Sequence, residues 1–121
     1  MAARRILIVD DNVSLRVLLR TYLIDAGYDT VEAGDGETAI SLALSEPIDL
    51  VLLDVMLPKR SGIEVLREIR ARRALPVVMM SSLSEPELVD LAADADGYIR
   101  KPFRPGDVAK CVTAVLAQGT A

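Results

Sequence analysis

Two aliphatic runs in this chain end in carboxylates: Ile6-Leu7-Ile8-Val9 in Asp10-Asp11, and Leu50-Val51-Leu52-Leu53 in Asp54. Ligands of open α/β sheets bind beyond the carboxyl ends of their strands, so an aspartate delivered there is either a cap or a reactive or ligating group. Three carboxylates gathered at one rim repel one another unless something cationic holds them, and the chemistry they could do together is therefore metal-dependent. Two further apolar runs lead to Ser81 and Lys101, a hydroxyl that donates or accepts and an ammonium that only donates. Taken singly, Asp10-Asp11 reads as a solvated helix start, Asp54 as a turn cap, and Ser81 and Lys101 as loop residues. Only their arrival at one place makes a site of them.

That arrival depends on the elements. Strand-like runs occur at Ile6–Val9, Leu50–Leu53 and Val77–Met80, with weaker ones at Tyr28–Ala33 and Gly97–Arg100. Unbroken Val, Leu and Ile mark strands buried on both faces, as in parallel sheets. Helical patterns lie between them. Leu15, Leu18, Leu19, Tyr22, Leu23 and Ala26 follow the spacing of one buried helix face, and Gly27 is placed to end it. Ala39, Ile40, Ala43 and Leu44 mark a second helix before Pro47; Ile63, Leu66 and Ile69 mark a third behind the capping box Ser61-Gly62-Ile63-Glu64. A fourth, short helix opens with Ser84-Glu85-Pro86-Glu87, and a fifth follows Pro105 to about Leu116. Five strands alternating with five helices imply an open parallel sheet covered on both faces. The chain reads as one domain over 1–121, with Gln118-Gly119-Thr120-Ala121 as a frayed end.

Composition removes several classes of function. Aromatic residues are 3% and Trp is absent, which leaves few stacking platforms for single-stranded nucleic acid or flavin. A net charge of −4 gives no basic excess for direct nucleic-acid binding. The chain has no His, so it holds no His-based triad or His metal site and cannot itself be the histidine donor of a phosphotransfer. The single Cys111 falls in the helical stripe of Val108, Val112, Val115 and Leu116 and reads as an inert thiol. Arg4-Arg5 precedes an apolar run too short for a signal peptide or membrane span. The expectation is a cytoplasmic protein with no membrane contact.

The acidic pair after the first strand, Asp54-Val55-Met56-Leu57-Pro58-Lys59-Arg60-Ser61-Gly62, Pro76-Val77-Val78-Met79-Met80-Ser81-Ser82 and Gly97-Tyr98-Ile99-Arg100-Lys101-Pro102-Phe103 stand in this order. The set resembles the receiver domain of bacterial two-component response regulators over essentially the whole chain. The resemblance implies a doubly wound (βα)5 fold with the flavodoxin-like strand order 2-1-3-4-5. It implies that Asp54 accepts a phosphoryl group from a phosphohistidine of a sensor histidine kinase or histidine phosphotransfer protein. Mg²⁺ would be held by Asp10, Asp11, Asp54 and the backbone carbonyl of Met56, oxygen ligands suited to a hard cation. Lys101 would hold the phosphoryl oxygens, Ser81 would hydrogen-bond one of them, and Tyr98 would follow the Ser81 loop between exposed and buried rotamers. A cis peptide is implied at Lys101-Pro102. Such a domain is not an enzyme with a separate substrate; it catalyses its own phosphotransfer and slow autodephosphorylation. Its output would pass to a protein partner through the face of the fourth helix, fifth strand and fifth helix, as a monomer or as a phosphorylation-dependent dimer. Ser81 stands where Thr is commoner, and Met56 and Leu83 flank the implied path of the hydrolytic water with apolar side chains.

The rival readings have different demands. A phosphorylation-independent interaction module on the same fold has no need of a mutually repelling carboxylate cluster. An enzyme of the haloacid-dehalogenase type would want a second Asp two positions after its nucleophile, where Met56 stands. A flavodoxin-like carrier would want a Gly- and hydroxyl-rich phosphate loop in place of Asp10-Asp11.

Overall fold

The computed structural model describes residues 3–82, 84, 86, 90 and 93–118. Five strands, β1 (Arg5–Val9), β2 (Asp29–Ala33), β3 (Leu50–Asp54), β4 (Val77–Ser81) and β5 (Gly97–Arg100), form one sheet in the order β2-β1-β3-β4-β5. Every adjacent pair is parallel. Among the described residues there are four helices: α1 (Val13–Asp25), α2 (Gly36–Ser45), α3 (Gly62–Arg72) and α4 (Pro105–Gln118), the last being the fifth helix of the sequence pattern. The expected fourth helix, with its Ser84-Glu85-Pro86-Glu87 start, falls largely outside the described residues. So do residues 119–121 of the expected frayed end, while Gln118 is the last residue of α4.

Alternation along the buried strands sends successive side chains to opposite faces. Leu7, Val9, Val51, Leu53, Val77 and Met79 meet α2 and α3 through Ala39, Ile40, Ala43, Val65, Leu66 and Ile69. On the other face Ile6, Ile8, Leu50, Leu52, Val78 and Met80 meet Leu19 and Leu23 of α1 and Val108, Val112, Val115 and Leu116 of α4. The α1 face is narrower than the sequence suggests: Leu18 and Ala26 are exposed. Burial centres on Leu19 and Leu23, and at about 100° per residue Leu18 points some 120° away from that centre. Ala26 is the C-cap residue at the helix end.

Helix starts are fixed by side-chain caps that satisfy the otherwise unpaired N–H groups. Asn12, Asp35 and Ser61 accept from the backbone N–H groups of Leu15, Thr38 and Glu64. Gly27 ends α1 with φ +96°, a left-handed conformation that other residues adopt only at a cost. At the far end of β4 and β5, Arg70 of α3 donates to the carbonyls of Leu75 (3.0 Å) and Asp94 (2.8 Å) and pairs with Asp96. Asp96 in turn accepts from the N–H of Val77 at 2.8 Å. This clasp sets where both strands begin, and hence where they end.

Candidate functional site

The parallel register carries four strand ends to one rim. Val9 pairs with Leu53, Asp54 with Met80, and Ser81 with Arg100. Asp10 therefore emerges just past β1, Asp54 and Ser81 are the last residues of β3 and β4, and Lys101 follows β5. The ladder runs one step further where the Lys101 N–H donates to the Ser81 carbonyl at 2.8 Å. Asp10, Asp54 and Ser81 are 1%, 4% and 1% exposed, and they are the polar residues buried among the described ones.

Carboxylate oxygens of Asp10, Asp11 and Asp54 lie within 4.8 Å of one another, with Asp10 and Asp54 buried and Asp11 exposed. Lys101 Nζ donates to Asp10 Oδ2 at 3.1 Å and to Asp54 Oδ2 at 3.2 Å. The remaining oxygens are also engaged: Asp10 Oδ1 accepts from the Asn12 N–H at 2.9 Å, and Asp54 Oδ1 from the Met56 N–H at 3.1 Å. Burial raises the Asp54 carboxyl above its ordinary pKa against the pull of the Met56 N–H and the Lys101 charge. Burial also opposes the Lys101 ammonium, but its hydrogen bond to Asp10 and the charges of Asp54 and Asp10 outweigh that and hold its pKa above the usual lysine value.

Three carboxylates against one ammonium leave two formal negative charges at the rim. An all-oxygen donor set of that charge, open on the Asp11 side, fits a small hard divalent cation that keeps part of its water shell. The donors present thus match Mg²⁺ in type and charge.

The loop after Asp54 is tied down on both sides. The Gly62 N–H donates to the Val55 carbonyl at 2.8 Å, and a Cβ on Gly62 would overlap the Asp54 carbonyl oxygen. Only glycine lets α3 start so close beneath the acidic strand end. Arg60 reaches Glu37 of α2 at 2.6 Å and also pairs with Glu64 and Glu68 of α3. Met56, between these anchors, is 67% exposed.

All the strand-end residues singled out from the sequence share this rim. Tyr98 sits lower, on β5: it is half-buried against the α2–α3 core and lines a cavity of about 480 Å³ with Arg100, Lys101, Pro102 and Asp107. The Lys101–Pro102 peptide is cis, as expected. Cys111 is half-buried, faces the Tyr98 carbonyl at 3.8 Å, and has its thiol pKa raised by burial. Leu83 lies outside the described residues. Sequence reading passed over Asn12 and Arg16. Arg16 Nη1 donates to the Asp10 carbonyl at 2.6 Å and Nε to Glu32 Oε1 at 3.3 Å. The signal for Arg16 was its place beside Leu15 and three residues before Leu19, a charged residue on the edge of a buried helix face.

Residues 6–113 match the family described as Response regulator receiver domain. The chain is 41% identical to the alkaline phosphatase synthesis transcriptional regulatory protein PhoP of Bacillus subtilis, over 93% of this chain and 48% of that protein. It is likewise 41% identical to the transcriptional regulatory protein ResD of the same organism, over 96% of this chain and 49% of that one. The chain thus spans about half the length of the curated relatives it matches. Among solved structures, the Vibrio cholerae chemotaxis protein CheY4 superposes with a TM-score of 0.88 at 30% identity, covering 94% of this chain and 99% of that one.

Proposed function

The chain belongs to the response regulator receiver domain family, and from that premise we propose that Asp54 is its phosphoacceptor. The observation that carries this reading is the Lys101 ammonium set between two buried carboxylates, 3.1 Å from Asp10 and 3.2 Å from Asp54. Burying that much charge is costly and gives little net stability, so an interaction module would have no use for it.

In the proposed reaction an Asp54 carboxylate oxygen attacks the phosphorus of a phosphohistidine on a sensor kinase or phosphotransfer protein. A P–O bond forms, the P–N bond breaks, and its electron pair returns to the imidazole. Asp10, Asp11, Asp54 and the Met56 carbonyl would hold Mg²⁺, which when bound neutralises charge on the phosphoryl oxygens and on the carboxylates facing them. Lys101, released from Asp54 as that carboxylate becomes an acyl phosphate, would pair with a phosphoryl oxygen. The Ser81 hydroxyl, at the end of β4, would bond another and draw its loop inward, with Tyr98 following from its place beside the β5 cavity. The same residues would support slow hydrolysis of the aspartyl phosphate.

The family membership supports a sensor kinase as partner. The output would pass to a protein partner through the face that includes β5 and α4, in a cytoplasmic setting. Among the described residues no helix is long and apolar enough to cross a membrane.

Incubation with acetyl phosphate, read by intact mass, tests the assignment. Parent protein should gain one phosphoryl group with Mg²⁺ and none with chelator, and Asp54→Asn should gain none. Equal labelling of the Asn variant would remove Asp54 from its role.

A further inference from the structure

We infer that Arg16 is a positioning residue for the acidic pair, setting the plane of the Asp10–Asp11 peptide so that the Asp11 carboxylate faces the cation. This rests on the reading of the acidic cluster as a Mg²⁺ site. Asp10 is held at its N–H by the Ala33 carbonyl (3.2 Å) and at its side chain by the Asn12 N–H (2.9 Å) and Lys101 (3.1 Å). The Asn12 bond closes an Asx turn across the peptide that leads on to Asp11, and the Asp11 side chain beyond it is exposed. The Arg16 guanidinium holds the carbonyl of that same peptide: Nη1 donates to it at 2.6 Å.

The guanidinium is itself held rigidly. Nε donates to Glu32 on β2 at 3.3 Å, and Glu32 is shared with Arg20 at 2.8 Å. The Arg16 side chain is only 17% exposed. It also packs over Gly34, where a Cβ would come within 3.1 Å of Nη1. A planar fork anchored on one side and donating on the other is a role that lysine fills poorly. Groups that orient metal ligands from behind typically change metal affinity by about 10- to 100-fold when removed.

The two roles open to this cation make opposite predictions. As a mere positive charge near three carboxylates, Arg16 opposes a second cation, and its removal would tighten Mg²⁺ binding. As the group that aims Asp11, its removal loosens it.

Titration of the full chain with MgCl₂ by calorimetry, with far-UV circular dichroism to follow the fold, separates them. Arg16→Gln should weaken Mg²⁺ about tenfold or more, and Arg16→Lys should recover part of the loss. Gly34→Ala, which displaces the guanidinium without removing it, should weaken binding in the same direction. Arg20→Gln removes an equal charge from the same Glu32 without touching Asp10, and should bind Mg²⁺ as well as the parent or slightly better. Unchanged or tighter binding by Arg16→Gln, with a parent that binds, overturns the positioning role alone. A parent that binds no Mg²⁺ overturns the metal reading and this inference with it.

Discussion

Lys101 Nζ stands 3.2 Å from Asp54 Oδ2 although 47 residues separate them in the chain. The same ammonium is 3.1 Å from Asp10 Oδ2, so one lysine from the end of β5 serves carboxylates from the ends of β1 and β3. It offsets one of three negative charges and leaves the rim suited to a divalent ion.

Stability should respond unequally to the two members of this pair. Lys101→Met leaves two buried carboxylates with no cation and should cost about 2 kcal/mol in Mg²⁺-free buffer, less than a fully buried pair because the lysine is partly exposed. Asp54→Asn removes a crowded charge, keeps an acceptor for the Met56 N–H, and leaves Lys101 to Asp10; its cost should stay under about 1 kcal/mol. Urea unfolding of both variants checks this, and equal losses would mean that the lysine does not relieve carboxylate repulsion.

The fold was legible in the sequence wherever burial was complete. β3 and β4 are apolar along nearly their whole length because both faces are covered, and their continuous runs announce it. The half-exposed α1 was read too wide, since Leu18 matches the helical period as well as Leu19 and only packing tells them apart. Strand ends gave Asp10, Asp54, Ser81 and Lys101 because topology alone collects them. Arg16, Gly34 and Gly62 could not be found that way. Their roles lie in backbone contacts between elements, the Asp10 carbonyl for one and the Asp54 carbonyl for another, and no periodicity encodes those.

Gly62→Ala should damage fold and site together. The added methyl would meet the Asp54 carbonyl oxygen, with Val55 Cα at 2.8 Å and the Asp54 carbonyl carbon at 2.9 Å. These are backbone atoms and cannot swing aside as a side chain can. We expect a loss of about 2 kcal/mol, in the range of core overpacking, measured by urea unfolding, together with slower acetyl phosphate labelling. Wild-type stability in this variant would show that α3 can retreat from the strand end.

The thiol of Cys111 should react slowly in the native protein. Burial raises its pKa, and the thiolate is the reactive form. A group raised on folding contributes stability that is present below the pKa of the unfolded thiol and is lost as pH rises through the native one. Iodoacetamide modification near pH 8 should therefore be slower in buffer than in urea, and urea midpoints should fall on going to more alkaline pH less steeply for Cys111→Ser. Equal alkylation rates in buffer and urea would mean the thiol is not shielded.

The lifetime of the phosphorylated state should be set in part by Met56. Its backbone N–H donates to Asp54 Oδ1 at 3.1 Å, which holds the residue beside the carboxylate that would carry the phosphoryl group. Met56 is 67% exposed at that rim, and its thioether, a weak acceptor, would orient an attacking water poorly. A polar side chain in the same place could accept a hydrogen bond from the attacking water and lower the barrier to hydrolysis. Met56→Asn should speed dephosphorylation roughly tenfold, about 1.4 kcal/mol off the barrier. Because Met56 is exposed, folding stability should scarcely change, and a rate effect can be read without a stability effect beneath it. Decay of purified phosphoprotein, followed by intact mass after removal of the phosphodonor, gives the two rates directly. If parent and variant decay at the same rate, the position beside Asp54 does not govern hydrolysis.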